Sequence, residues 1–237
     1  QDYGFINKKN VILFECASRS GQSFVTAEFA METSKLLIER NPGAYIILSS
    51  NIPFKTSDTH IIDGSVLTVR ENAELTKYCS LLVGCSSGIS WLCTSDWAKP
   101  LPMVQLLSKK TSVFASFVHD YEYRKASTNF IIEMTNCSPS YLAQCLEEIS
   151  ENGFISARIK YHETIPLTFD FYAWTIAILL FKGKFTQAVG SLRVTIHRYG
   201  IRHQLISALL KNLMIFPIKL IWCRIQKNNA HINKMTV

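Results

Sequence analysis

Residues 81–92 read LLVGCSSGISWL, and this stretch decides the predicted fold. The apolar run 81–83 is typical of a strand that is buried on both faces of a sheet. Ser86, Ser87 and Gly88 follow it before apolar residues resume. Serine hydroxyls accept the unpaired N–H groups at a helix start, and glycine lets a ligand approach the backbone closely. The stretch therefore predicts a strand, a turn and a helix.

The start of such a helix is a possible anion site. Its free N–H groups point outward and the helix dipole favours negative charge, which is an arrangement suited to phosphate. Small residues at this position are equally compatible with a capped turn that binds nothing. The stretch taken alone leaves both interpretations open.

The same order of strand, loop and helix recurs along the first part of the chain. We predict strands at 10–15, 44–49, 81–85 and 101–107, a shorter β segment within 61–69, and helices at 27–40, 70–79, 86–98 and 138–153. Repeated units of this length predict a Rossmann-like α/β fold, a parallel sheet with helices on both faces. Ligands bind such sheets at the carboxyl ends of the strands, where the loops 16–24 and 85–90 are expected.

Charge divides the chain into two parts. Residues 1–156 contain 13 Lys or Arg and 16 Asp or Glu, a net charge of −3, whereas residues 157–237 contain 12 and 2, a net charge of +10. We therefore predict a Rossmann-like domain over 1–157 and a basic helical extension over 158–237.

The extension is apolar as well as basic. Residues 171–200 predict two helices around 182–184, and 203–227 predict a further helix with an apolar stripe at 205, 206, 209, 210, 213, 216, 220 and 221. Lys211, Pro217 and Lys219 interrupt the run, which argues against a membrane span. An apolar stripe with basic flanks favours contact of 201–227 with an anionic membrane surface, while packing on the protein itself remains the alternative. Aromatic residues lie within apolar runs here, which argues against nucleic acid.

Cysteine usage and the start of the chain set the expected location. The seven cysteines form no C-x-x-C pair and no metal-ligand spacing, which predicts reduced thiols in a cytoplasmic protein without a metal. No secretory signal opens the sequence. Because the chain begins at Gln1 rather than Met, we expect a part of a longer protein.

One segment resembles a known family. The helix beginning Glu71-Asn72-Ala73-Glu74-Leu75, the strand 79–84, the turn Ser86-Ser87-Gly88 and the pair Lys99-Pro100 follow one another as in the donor-binding C-terminal half of GT-B glycosyltransferases. The likeness is to the heptosyltransferase-like glycosyltransferase family 9, and it covers about residues 10–110. The resemblance implies a nucleotide-sugar donor as substrate, no cofactor, and an acceptor-binding half that lies N-terminal and supplies the catalytic base.

The resemblance also implies which residues contact the donor. The candidates for the diphosphate are Ser18, Arg19, Gln22, Ser23, Ser86, Ser87 and Gly88, and the candidates for sugar or ribose are Glu15 and Glu71. Structural alternatives remain open, since Gln22 and Ser23 could cap a helix and Glu71 could be an acid of a first helical turn. No catalytic residue is assigned.

These features predict an enzyme that transfers a sugar to a cell-surface glycan or a lipid-linked acceptor, as in lipopolysaccharide synthesis, at the cytoplasmic face of the membrane. Two alternatives remain. A non-catalytic, membrane-recruited scaffold would explain why Ser86, Ile89 and Trp91 stand where the family has Asp, Pro and His. A sugar-nucleotide epimerase of the same fold would need paired acid or histidine residues, and the sequence shows no such pair.

Overall fold

A computed structural model describes residues 10–16 and 21–218. The chain divides into two compact units, Gln1–Ile165 and Pro166–Val237.

A parallel sheet forms the centre of the first unit. Its strands within the described residues are β1 (Asn10–Glu15), β2 (Ala44–Ser49), β3 (Ile61–Asp63), β4 (Leu81–Gly84), β5 (Met103–Leu107) and β6 (Ile131–Thr135). The order across the sheet is β3-β2-β1-β4-β5-β6, and every neighbouring pair is parallel. The predicted parallel α/β sheet is confirmed, and its order is compatible with a Rossmann-like fold.

Helices cover both faces of this sheet, as predicted. They are α1 (Ala27–Arg40), α2 (Val69–Leu75), α3 (Gly88–Leu92), α4 (Ser112–Ala115), α5 (Phe117–Tyr123), α6 (Pro139–Asn152) and α7 (Phe154–Tyr161). Side chains alternate along each strand, so that Ile12 and Phe14 share a core with helices α1, α6 and α7. Val11 and Leu13 point to the other face and share a core with residues of α3 and α5.

Helix boundaries follow local capping. Thr26 accepts the N–H of Phe29 at 3.2 Å and begins α1, and Ser138 accepts the N–H of Tyr141 at 3.2 Å and begins α6. The predicted helix over 86–98 is wrong in length, because only α3 is helical. The hydroxyls of Thr94 and Ser95 donate to the carbonyls of Trp91 and Leu92 at 2.7 and 2.5 Å and end it.

The first unit extends beyond the predicted boundary at 157. Arg158 on α7 donates to the carbonyl of Ile131, and the following residues run beside β6. There the N–H of Glu163 donates to the carbonyl of Glu133 at 2.8 Å, and the carboxylate of Glu163 accepts from Thr135. These long-range hydrogen bonds attach the segment up to Ile165 to the sheet, although its charge resembles that of the basic extension.

The second unit is helical in its described residues. It contains α8 (Asp170–Phe181) and α9 (Phe185–Tyr199), which confirms the two helices predicted around 182–184, and residues 203–218 form a further helix. Phe169, Ala173, Leu205 and Ala208 form its core. Among the described residues, no helix has both the length and the apolar character that crossing a membrane requires.

Candidate functional site

The side of the sheet to which successive strands are added changes between β1 and β4. The chain adds β2 and β3 on one side of β1, then crosses back and adds β4, β5 and β6 on the other side. In open parallel sheets, the carboxyl ends of the two strands at such a reversal diverge into a crevice that binds ligands. The loop after β1 and the turn after β4 both begin at this edge, so the sheet brings the two predicted loops together.

The side chain of Glu15 joins these two loops. Glu15 ends β1 and is only 1% exposed. Its carboxylate accepts the hydroxyl of Ser90 at 2.5 Å and the N–H of Cys85 at 3.2 Å, and it also accepts the hydroxyl of Ser87. In return, the thiol of Cys85 donates to the carbonyl of Glu15 at 3.0 Å. The end of β1 is thereby fixed to the turn that leads into α3.

Burial changes the acid–base behaviour of this region. Loss of hydration raises the pKa of Glu15 above its ordinary value, and the hydrogen bonds from Ser90 and Cys85 offset part of the effect. Burial, assisted by the neighbouring carboxylate of Glu15, raises the pKa of Cys16 to about 12 and that of Cys85 as well. Thiols with a raised pKa are poor nucleophiles, so these two cysteines have a packing role.

Ser86 shapes the turn. Its φ of 51° lies in the left-handed region, which a residue with a side chain adopts only when its surroundings enforce it. Its N–H donates to Oε1 of Gln105 at 2.9 Å and its hydroxyl donates to the carbonyl of Ala115 at 2.5 Å. Both donors are used inside the protein. Neither donor is free for a phosphate in this arrangement, and a contact of Ser86 with a nucleotide-sugar donor stays a prediction.

Ser87 and Gly88 remain candidates for a ligand contact. Ser87 is the cap of α3, as predicted, and its Oγ accepts the N–H of Ile89 at 3.2 Å. Among the hydrogen bonds of the described residues, this turn uses the N–H groups of Cys85, Ser86 and Ile89 but not those of Ser87 and Gly88. The space beside Gly88 is open, since an added Cβ would meet no atom within 4 Å. Helix α3 has only five residues, so its dipole contributes little to anion binding.

The loop after β1 rests on the end of β5. The hydroxyl of Ser23 donates to the carbonyl of Leu106 at 2.6 Å and accepts the N–H of Val25 at 3.3 Å. The carbonyl of Gln22 accepts the N–H of Ser108 at 2.8 Å. The hydroxyl of Ser23 thus has a structural use, and its contact with a nucleotide-sugar donor stays a prediction. Gln22 lies at the site edge through its backbone.

Three other predicted contacts remain, Ser18, Arg19 and Glu71. Ser18 and Arg19 lie outside the described residues. Glu71 is on the surface at the start of α2, where its carboxylate accepts the N–H of Thr68 at 2.7 Å and Thr68 caps the helix in return. This capping box accounts for Glu71, so the structure favours the first-turn interpretation over ribose binding.

Two buried polar residues next to this site, Gln105 on β5 and Glu133 on β6, were not identified from the sequence. They lie beside the end of β4, one after the other across the sheet. Gly84 pairs with Gln105, and Gln105 pairs with Glu133. The carboxylate of Glu133 accepts the N–H of Val118 at 3.1 Å and the hydroxyl of Ser116 at 2.9 Å, and burial raises its pKa. A Gln or Glu inside an apolar strand must find partners, so the runs MVQLL and IIEMT carried this signal.

The described residues contain no group of three or more His, Cys, Asp or Glu side chains that could hold a metal ion. Comparison of the chain with protein-family models, curated proteins and solved structures finds no match.

Replacing Gly84 tests how closely Ser90 and Gln105 pack against this residue. In Gly84→Ala the new methyl group would collide with Oγ of Ser90 and come within 2.6 Å of Nε2 of Gln105. We expect the free energy of unfolding in urea to fall by about 1–3 kcal/mol, the usual cost of overpacking. Gly88→Ala, in the same turn but in open space, is the control and should not lose stability. Equal stability of the two variants would contradict the described packing.

Replacing Glu15 tests the burial of its carboxyl group. The folded protein holds this proton more tightly than the unfolded chain, so its contribution to stability is present below the ordinary pKa of 4.5 and is lost as pH rises through the folded pKa. We expect the free energy of unfolding of Glu15→Gln, relative to the natural protein, to rise with pH above 4.5, by at most about 1.4 kcal/mol per pH unit.

Urea unfolding at a series of pH values measures this difference in the free energy of unfolding. In Glu15→Gln the side-chain amide oxygen can still accept hydrogen bonds from Ser90 and Cys85, so the variant keeps these contacts. The exposed Glu151→Gln on α6 is the control and should follow the natural protein at every pH. A Glu15→Gln curve parallel to that of Glu151→Gln would show that the Glu15 carboxyl group is not buried in this way.

Proposed function

We propose that the first unit binds a nucleotide sugar at the carboxyl edge of β1 and β4, and that the chain is the donor-binding part of a glycosyltransferase. The observation that supports this most is the meeting of two small, polar loops at the point where the strand order reverses. The resemblance of residues 10–110 to glycosyltransferase family 9 supports the same function.

The diphosphate of the donor would lie over Gly88. This residue has open space beside it, and the N–H groups of Ser87 and Gly88 are donors that the turn itself does not use. Fixed N–H donors stabilise the charge that grows on the diphosphate as the sugar leaves, at no cost of reorganisation. Arg19 would supply a positive charge from the loop after β1, because a guanidinium group matches two phosphate oxygens at once.

The protonation of the buried Glu15 carboxyl group would be coupled to diphosphate binding. A negative carboxylate beside a diphosphate is unfavourable, whereas a protonated carboxyl group is not. Burial already raises the pKa of Glu15, and a bound diphosphate would raise that pKa further. A bound diphosphate would therefore favour the protonated form of Glu15.

The alternative of a non-catalytic scaffold is favoured by one observation. Ser23 and Ser86 use their hydroxyl groups inside the protein, on the carbonyls of Leu106 and Ala115. A site with fewer free donors than predicted would be consistent with a fold that has lost its ligand. The two proposals differ in whether any nucleotide stabilises the protein.

A thermal-shift screen tests the proposed function. The ligands are UDP, GDP, ADP and CMP, each as the free nucleotide and as its common nucleotide sugars. A ligand at one hundred times its Kd stabilises the folded protein by about 2.7 kcal/mol, which raises Tm by a few degrees. We expect this shift with one nucleotide class. Gly88→Ala should keep the fold and lose most of the shift, because its methyl group stands where the diphosphate binds.

Gly190→Ala is the matched control, since it also places a methyl group in open space on a helix, α9 of the second unit. It should keep the full shift. Arg19→Ala should reduce the shift through loss of charge. If no nucleotide raises Tm, or if Gly88→Ala retains the full shift, the proposed donor site is contradicted and the scaffold alternative gains support.

A further inference from the structure

The helix over residues 203–218 has two largely apolar faces, and within the described part of the chain only one of them is covered. Leu205, Ala208, Asn212 and Phe216 are buried, at the spacing of three and four residues that defines one face of a helix. On the opposite side, Ile206, Leu210, Met214 and Ile218 are 51%, 59%, 70% and 67% exposed. The single apolar stripe predicted from the sequence is therefore divided between the core of the second unit and its surface.

The exposed residues form a stripe of their own. They recur every fourth residue, which keeps them on one side of the helix as they drift slowly around it. Exposed polar and basic residues on this helix include His203 and Lys211. Scattered exposed aliphatic side chains are ordinary, but a row of four along one helix marks an interaction surface.

Helix α9 has the same mixture on its exposed side. Phe185, Val189 and Val194 are 64–66% exposed, and the exposed Arg193 and His197 lie among them. Basic residues with exposed apolar neighbours are the composition expected of a surface that inserts into lipid headgroups.

The charge of the second unit is strongly one-sided. Residues 166–237 contain ten Lys or Arg and a single acidic residue, Asp170. Asp170 is neutralised locally, because Nζ of Lys211 lies 3.2 Å from its Oδ1. The partner of this surface must therefore accept both positive charge and aliphatic side chains.

We propose that the second unit binds the surface of an anionic membrane, with Ile206, Leu210, Met214 and Ile218 inserted at the boundary between headgroups and acyl chains. Basic residues such as Lys184 and Arg193 contact the anionic headgroups. Of the segment 201–227 that the sequence predicted for this contact, residues 219–227 lie outside the described residues.

The observations favour lipid over two other partners. Nucleic acid is bound by basic residues together with aromatic stacking platforms, whereas the exposed apolar residues on helix 203–218 are aliphatic. A second copy of the chain would bring two strongly basic units into contact, which like-charge repulsion opposes. An anionic membrane alone is attracted by the charge and also buries the aliphatic row.

Vesicle flotation of the full chain tests the proposal. We expect binding to an equal mixture of phosphatidylcholine and phosphatidylserine, and little binding to phosphatidylcholine alone. The double variant Leu210→Ser/Met214→Ser should lower the partition coefficient at least tenfold, because two exposed aliphatic side chains no longer leave water. The matched control is Ile155→Ser/Ile159→Ser, which changes two residues of the first unit that are 61% and 83% exposed, and it should bind as the natural chain does.

Charge is tested in the same assay. Lys184→Gln/Arg193→Gln should lower the partition coefficient about fivefold for each charge removed, while the exposed pair Lys109→Gln/Lys110→Gln of the first unit should not. Several outcomes would overturn the proposal: no flotation with the mixed vesicles, equal binding to neutral vesicles, or equal binding by the Leu210→Ser/Met214→Ser variant. If light scattering shows a dimer of the natural chain and a monomer of the Leu210→Ser/Met214→Ser variant, the surface binds a second copy of the chain. RNA binding that Lys184→Gln/Arg193→Gln weakens, without vesicle binding, would assign it to nucleic acid.

Discussion

The buried carboxyl group of Glu15 is the constraint on which the rest of the site depends. A carboxyl group that loses its water must be protonated or surrounded by donors, and here Ser87, Ser90 and the N–H of Cys85 all face it. Those donors come from the turn after β4 and from α3. The requirement to satisfy one side chain of β1 therefore fixes the geometry of the loop at the reversal of strand order.

The same requirement spreads across the sheet. Gly84 has no side chain, which leaves room for Ser90 and Gln105, and Gln105 in turn accepts from the strained backbone of Ser86. The N–H groups of Ser87 and Gly88 take no part in these hydrogen bonds of the turn. The serines predicted as ligand contacts are largely residues that make internal hydrogen bonds.

The sequence allowed the central strands to be predicted to within one residue of their observed bounds. The runs at 10–15, 44–49 and 81–84 are apolar and end at small or polar residues, and α6 is marked by its Ser-Pro start and its Gly153 end. The pairing of Gln105 with Gly84 and Glu133 could not be predicted, because strand register joins residues that are distant in sequence. The apolar stripe predicted within 203–227 is single, whereas the described residues divide it between buried and exposed positions, since periodicity does not say which apolar residues a neighbouring helix covers.

In the proposed site, the N–H groups of Ser87 and Gly88 face a nucleotide ligand at the edge of β1 and β4. The most direct measurement is a titration of the 15N-labelled chain with UDP-, GDP-, ADP- and CMP-sugars, followed through the amide resonances. The account predicts that one donor class shifts the Ser87 and Gly88 amides together with residues of the loop after β1. Resonances that stay unchanged with every donor, or shifts confined to residues away from this edge, would contradict it.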